Sequence, residues 1–316
     1  MAFTETSTVG FVAITGCGWV MPSGAGNSGA LGGTAGSALA TGQAPRLRVI
    51  GDDLFEALAR PVGELAGDRH GRIASAALSL AAKQAGLILP YADPTRVGLV
   101  LSIAQAGQGG MIRFAEEVRT QSPRFVSPIH FPETVGNYLA GALARAHGLR
   151  GPNLTVSGGA CAGIEGFGEA MQMIQHGAAD VVLVGGCETW TPSLVEQSPP
   201  NQAAVSEGAC FLVLERDDAF RSRGVSVLAH GQCRHHQTAV VEQAEYRGCA
   251  SGVRTDAICI EPLWGYCPSV GPLLAVATMI DAAIGHPAAV NAVVLGEPNA
   301  QGKSILSLRI PAHQTA

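Results

Sequence analysis

Apolar runs of strand length alternate with segments of helical period along most of the chain, a pattern that predicts a layered α/β domain. "GFVAITGCG" (10–18) reads as a strand ending in glycines. "DRHGRIASAALSLAAKQAGL" (68–87) reads as a helix with Ile73, Ala76, Ala77, Leu80 and Ala81 on one face and Gly86 as its stop. "RVGLVLSIA" (96–104) is a buried strand, and helices follow over 111–120 and 134–149. Between 153 and 188 a β-branched run ends in two glycines, a helical stretch follows, and a second apolar run closes on Gly-Gly. "GACFLVLERDDAF" (208–220) and "VSVLAHGQC" (225–233) are two further strands joined by a short charged helix. Residues 234–256 are polar and mixed and predict no element; order returns with a helix over 269–283 and two runs, 288–296 and 303–310, spaced as a hairpin.

Composition narrows the class. With 316 residues, 47% hydrophobic and 14% charged, the chain can bury a large core. The net charge of −5 is spread without long runs of one sign, so nucleic acid and anionic membrane surfaces are not expected as main partners. The opening "MAFTETSTVG" has neither a basic nor an apolar leader region, and no apolar run reaches about 18 residues, so no membrane span is expected. Eight cysteines form no C-x-x-C pair and several lie in apolar runs, which fits reduced thiols in a cytoplasm. No metal and no cofactor are expected: His235 and His236 are adjacent and would diverge in an extended chain, and no carboxylate or cysteine pattern completes a ligand set.

Candidate chemistry centres on Cys161. It opens a helix just after a strand and a glycine pair, where unpaired N–H groups and the helix dipole favour a thiolate and could receive the oxyanion of a thioester under attack. Gly158, Gly159, Ala160, Ala162 and Gly163 permit the sharp turn and close packing of such an elbow. The same pattern also describes a small buried residue in a tight Gly/Ala turn, and the local residues leave both readings open. The stripe Ile164, Phe167, Met171 and Ile174 is core packing in either case.

The stretch "GLRGPNLTVSGGACAGIEGFGEAMQMIQHGAADVVLVGGCET" resembles the nucleophile segment of the β-ketoacyl-acyl-carrier-protein synthases, condensing enzymes of thiolase fold. The resemblance extends over roughly residues 9–233, through "VAITGCGWVMPSG", "RVGLVLS", "RFVSPIHFPETVGNYLAGALARAHGL" and "SEGACFLVLERDDAF". It implies an αβαβα layered fold, a first half over 1–224 carrying the elbow, and a shortened second half over 225–316. It places Cys161 on the acyl-accepting position, after Gly-Gly-Ala where Thr-Ala is usual. It also makes "IHFPETVGNYL" the segment that reaches toward a partner's acyl pocket, with Phe131, Thr134 and Tyr138 as candidates for the tunnel wall.

The departures from the family are as specific. The two histidine stretches with which active members decarboxylate the extender are absent, and "LWGYCPSVGPL" puts Cys267, Pro268 and Ser269 in the second histidine's neighbourhood. The late gatekeeper loop reads "GEPNAQGKS" (296–304). Such losses resemble chain-length factors, which pair with an active ketosynthase and shape the shared tunnel while acyl carrier protein presents the thioester. The expected function is therefore a ketosynthase-like subunit of type II polyketide or fatty-acyl, including polyene, elongation. The alternatives are an independent acyltransferase using Cys161 without decarboxylation, and a non-enzymatic homodimeric scaffold for acyl carrier protein.

Overall fold

The computed structural model describes residues 10–28, 30, 47–58, 63, 65, 68–105, 108–121, 123–126, 128, 130–197, 204–216, 218–235, 246–249, 258–259, 264–284, 286–295 and 304–312. In chain order its elements are β1 (Val12–Met21), β2 (Gly24–Gly26), β3 (Leu47–Arg48), α1 (Asp52–Leu58), α2 (Arg69–Gln84), β4 (Val97–Ile103), α3 (Gln108–Gln121), α4 (Tyr138–His147), β5 (Asn153–Ser157), α5 (Ala162–Gln175), β6 (Val181–Glu188), α6 (Pro192–Gln197), β7 (Val205–Ser206) and β8 (Gly208–Glu215). The second half adds β9 (Ala229–His235), β10 (Tyr246–Cys249), β11 (Ile258–Cys259), α7 (Gly271–Ala282), β12 (Val290–Leu295) and β13 (Ser304–Ile310).

Most strands form one sheet in the order β11-β10-β12-β13-β9-β1-β8-β6-β4-β5. It divides into two stretches with the same plan. In each, the third, second, fourth, fifth and first strands stand side by side, and the fifth strand (β8 or β13) runs antiparallel to the fourth and the first. The stretches meet where Val12–Ile14 of β1 pairs with Ala229–Gly231 of β9.

Helices α2 and α4 cover one face of the first stretch, and α5 and α7 lie between the two stretches. This is the layered α/β arrangement that the resemblance implies, with a reduced second half. Among the described residues no helix covers the far side of β9–β13, and the connection from β9 to β10 is residues 236–245, against 22–96 from β1 to β4.

Local chemistry explains the elements. Helix α2 starts where the Asp68 carboxylate accepts the N–H groups of His70 and Gly71, and it ends at Gly86 with φ +62°. It is buried beyond the one predicted face, at Ala74, Ser75 and Leu78 as well, because it is held between the sheet and α4. Its approach to β1 is closer than side chains allow: a Cβ on Gly16 would strike the Ala81 carbonyl, and one on Gly18 the Ala77 carbonyl and Ala81 amide. All of β1 is buried, with Trp19 edge-on to Trp264 at 5.3 Å. The stripe Ile164, Phe167, Met171 and Ile174 is core, as predicted.

Three expectations are corrected. The helix expected over 134–149 begins at Tyr138, because 131–134 forms a 3-10 turn with Pro132 in its first positions. The charged helix after β8 is only the 3-10 turn Arg221–Arg223, ended by Gly224 at φ +66°. A strand, β10, lies inside the polar stretch for which no element is predicted, parallel to β12. The hairpin is as predicted, with Val290 opposite Ile310. No helix among the described residues is long and apolar enough to cross a membrane.

The backbone contact between β1 and α2 gives a stability prediction. Gly18→Ala is expected to cost about 1–3 kcal/mol, since neither contacting backbone can step aside. Gly51→Ala, with open space around the new Cβ, is expected to be near neutral. Urea unfolding of both variants checks this, and equal midpoints would contradict the close-packing account.

Candidate active site

Strand β5 delivers the chain to the elbow. Gly159 adopts φ +59°, which favours glycine, and the 3-10 turn Gly159–Cys161 leads directly into α5. Cys161 stands at the N-cap position with its N–H on the Gly158 carbonyl at 3.3 Å, and its side chain is 3% exposed. The predicted strand, turn and helix are all present, but the thiol sits within the packing.

What faces the elbow is the start of α7. A Cβ on Gly163 would come 2.8 Å from the Ser269 carbonyl and 3.1 Å from Pro272, and one on Gly186 would come 2.5 Å from that same carbonyl. Ser269 is fully buried and Cys267 nearly so. Beneath them, at the end of β6, lies the buried carboxylate of Glu188. It accepts the N–H groups of Ala104 at 2.7 Å and Gln105 at 2.9 Å, and Ser269 through its hydroxyl and backbone N–H. Removal from water pushes its pKa up to about 7, against the pull of these four donors. Burial also raises the thiols of Cys187 and Cys267, so neither is a nucleophile at neutral pH.

A second feature opens on the other side of the ends of β4 and β6. A cavity of about 580 Å³ is lined by residues including Arg69, His70, Gln105, Tyr138, Trp190 and Glu207. The Arg69 guanidinium bonds Glu207 at 2.6 Å and the Ile50 carbonyl at 2.7 Å, and it shares the Phe55 ring with Arg72. His70 Nε2 reaches the Cys187 carbonyl at 3.2 Å, and desolvation lowers its pKa. Trp190 donates to the Ser206 carbonyl at 3.0 Å.

The predicted tunnel residues do not converge. Tyr138 lines the cavity, but Phe131 and Thr134 are not among its lining residues. Phe131 is 56% exposed and rests edge-on against Phe114 at 5.8 Å, and the Thr134 hydroxyl donates to the Phe131 carbonyl at 2.7 Å. Among the described histidines, His130 bonds Glu117, His147 bonds Ser75, His176 caps the far end of α5 and His286 lies in a turn. The stretches 236–245 and 296–303 lie outside the described residues. Sequence reasoning passed over Glu188, Arg69 and Glu207; the available signal for Glu188 was a carboxylate at the end of the apolar run "VVLVGGCE". Among the described residues no cluster of His, Cys, Asp and Glu could hold a metal ion.

The family model "Beta-ketoacyl synthase, N-terminal domain" matches residues 52–228. The chain belongs to the beta-ketoacyl synthase family. Against the 3-oxoacyl-(acyl-carrier-protein) synthase 2 of Vibrio cholerae it is 27% identical over 172 residues, 47% of this chain and 42% of that protein. The Rhizobium meliloti protein of that name is 28% identical over 182 residues, 49% of this chain and 43% of that protein. The matched region thus spans about two fifths of these curated relatives. A solved ishigamide ketosynthase/chain length factor has a TM-score of 0.74 at 20% identity, covering 96% of this chain and 100% of that one. A chain from a type II PKS acyl-carrier protein complex with its ketosynthase has a TM-score of 0.73 at 14% identity, covering 95% and 99%. These likenesses show a thiolase-like ketosynthase fold.

Glu188 yields a pH prediction. Its carboxyl is raised in the folded protein from an ordinary 4.5 to about 7, so the folded state keeps this proton to higher pH than the unfolded chain. The stability it contributes is therefore greatest below pH 4.5 and is lost as pH rises through 7, a change of roughly 3 kcal/mol. Glu188→Gln should lack that slope. Urea unfolding of both proteins at pH 5 and pH 8 checks this; parallel pH dependence would refute it.

Proposed function

We propose that this ketosynthase-family chain is a chain-length-factor-like subunit. It pairs with an active β-ketoacyl synthase, serves chains carried by acyl carrier protein in type II polyketide or fatty-acyl elongation, polyenes included, and shapes the acyl tunnel without condensing alone. The observation that carries this reading is the company of the elbow. Where the resemblance calls for a decarboxylating histidine, buried Ser269 and Pro272 close on α5, with Glu188 committed to structural hydrogen bonds. General acid–base work needs a group within hydrogen-bond reach of the moving proton, and these groups are occupied. In this reading residues 1–224 form the half that carries the elbow and 225–316 a shortened half that completes the central layer. Cys17, Cys161, Cys187, Cys210, Cys233 and Cys267 are free thiols, which fits a cytoplasmic setting.

Pairing has structural support. Among the described residues strand β5 ends the sheet beside β4, so one row of its backbone groups is open to another chain. Met111, Phe125, Phe131 and Val135 are exposed apolar residues on α3 and on the connection to α4. Co-expression with a full-length synthase carrying both histidine stretches, followed by sizing, is expected to give a stable heterodimer, and this chain alone is expected to aggregate. A well-behaved monomer at micromolar concentration beside an unpaired synthase would contradict the reading. In the complex, Tyr138→Ala or Phe131→Ala should lengthen the products if these side chains form a wall; unchanged products from an assembled complex would reject that role.

The intact elbow favours a second reading, in which Cys161 accepts an acyl group and passes it on, since thiol exchange needs less machinery than carbon–carbon bond formation. The leading reading predicts that Cys161→Ala leaves turnover of the pair within a few-fold. A stable acyl adduct on Cys161 by intact mass spectrometry, together with orders of magnitude loss in the alanine variant, would establish the second reading instead.

A further inference from the structure

The first turns of α5 carry a carboxylate that the family resemblance does not assign. Glu165 follows Cys161 by four residues, so the two share one face of the helix at a separation of about 5–6 Å between Cβ atoms. Its side chain turns back along that face: a Cβ on Gly158 would collide with the Glu165 carboxylate and would lie 3.5 Å from the Ala162 Cα. Gly158 is the residue whose carbonyl receives the Cys161 N–H. The carboxylate of half-buried Glu165 therefore lies against the turn, in space that the missing Gly158 side chain leaves open. This glycine has φ −143°, so its backbone does not require glycine, and an alanine there would have to displace only the flexible end of Glu165.

We propose that Glu165 is an electrostatic brake on Cys161: its carboxylate occupies the helix N-terminus that would otherwise stabilise a thiolate or the oxyanion of a thioester under attack. An N-terminal turn supplies a limited set of N–H groups and about half a positive charge, and an anion already seated there spends both. The same field reaches another thiol. Cys233 of β9 lies 3.8 Å from the Ile164 carbonyl, and its pKa is pushed up to about 11, first by burial and then by Glu165 and Glu169. The groups around these turns are Glu165 and Glu169 of the helix itself, Cys233 of β9, uncharged Ser102 of β4 on the Ala162 carbonyl, and, across Ser269 just before α7, Glu188 of β6. The carboxylates among them all oppose a second anion.

The inference deepens the reading of a non-condensing subunit and rests on it only in explaining why the retained cysteine would be idle. Acyl transfer tests that reading; alkylation tests this one. The heterodimer, or the chain in whatever soluble form it takes, is treated with iodoacetamide at pH 7.5, and modification of the Cys161 peptide is followed by mass spectrometry. Glu165→Gln is expected to speed alkylation of Cys161 on the order of tenfold. Gly158→Ala keeps the charge in the chain but pushes the carboxylate out of the turn, and it should give a similar gain. Alkylation of fully buried Cys210, measured in the same digest, reports any loss of fold, so a gain confined to Cys161 supports the brake. Unchanged Cys161 rates in both variants, with Cys210 still protected, would overturn it, as would equal gains at both cysteines.

Discussion

The architecture around the elbow depends on a buried carboxylate with no solvent to share. Glu188 lies at the end of β6 with no measurable exposure, and a charge so placed is tolerated only with a full complement of donors. It draws them from two directions: the backbone leaving β4, and Ser269 at the entry to α7. That requirement fixes α7 against the first stretch of sheet and brings the Ser269 carbonyl over Gly186 and Gly163. A side chain at either glycine would lift α7 away, and the position of α5 against it would be lost.

Elements whose signals are local were legible in the sequence. Asp68 and Gly86 bracket α2, the β-branched run of β4 is buried throughout, and the two terminal runs pair as a hairpin. The elbow was legible for the same reason, because Gly158, Gly159 and Cys161 are neighbours in the chain. Misses occurred where geometry depends on distant partners. Strand β10 holds four residues in a polar stretch and owes its conformation to β12 and β11 on either side. The Glu188 and Ser269 contact joins residues 81 apart, and Arg69 and Glu207 are 138 apart, so neither could be read from spacing. The wider burial of α2 likewise depends on α4, which no periodicity in α2 announces.

Fold and chemistry part company at the elbow. The strand, the left-handed glycine and the helix start remain as the family resemblance implies, because they are also packing requirements: Phe167 and Ile164 of the same helix are buried in the core. A turn that packing requires is compatible with a catalytic and with a non-catalytic subunit alike. Its retention therefore says less about activity than the groups seated against it do. Here those groups include a carbonyl and a proline ring, which exchange no proton, and the Glu188 carboxyl, which is held by four donors.

The repeated strand order gives the reduction of the second half a physical limit. Each stretch supplies one helix to the middle layer, and α7 is buried at Leu273, Leu274, Val276, Ala277 and Ile280 because sheet lies on both sides of it. Removing that helix would expose the inner faces of β1, β8 and α5 together, since Trp19, Leu212 and Phe167 share one core with it. Any reduction of the second half must therefore leave α7 in place if the core around the elbow is to stay closed.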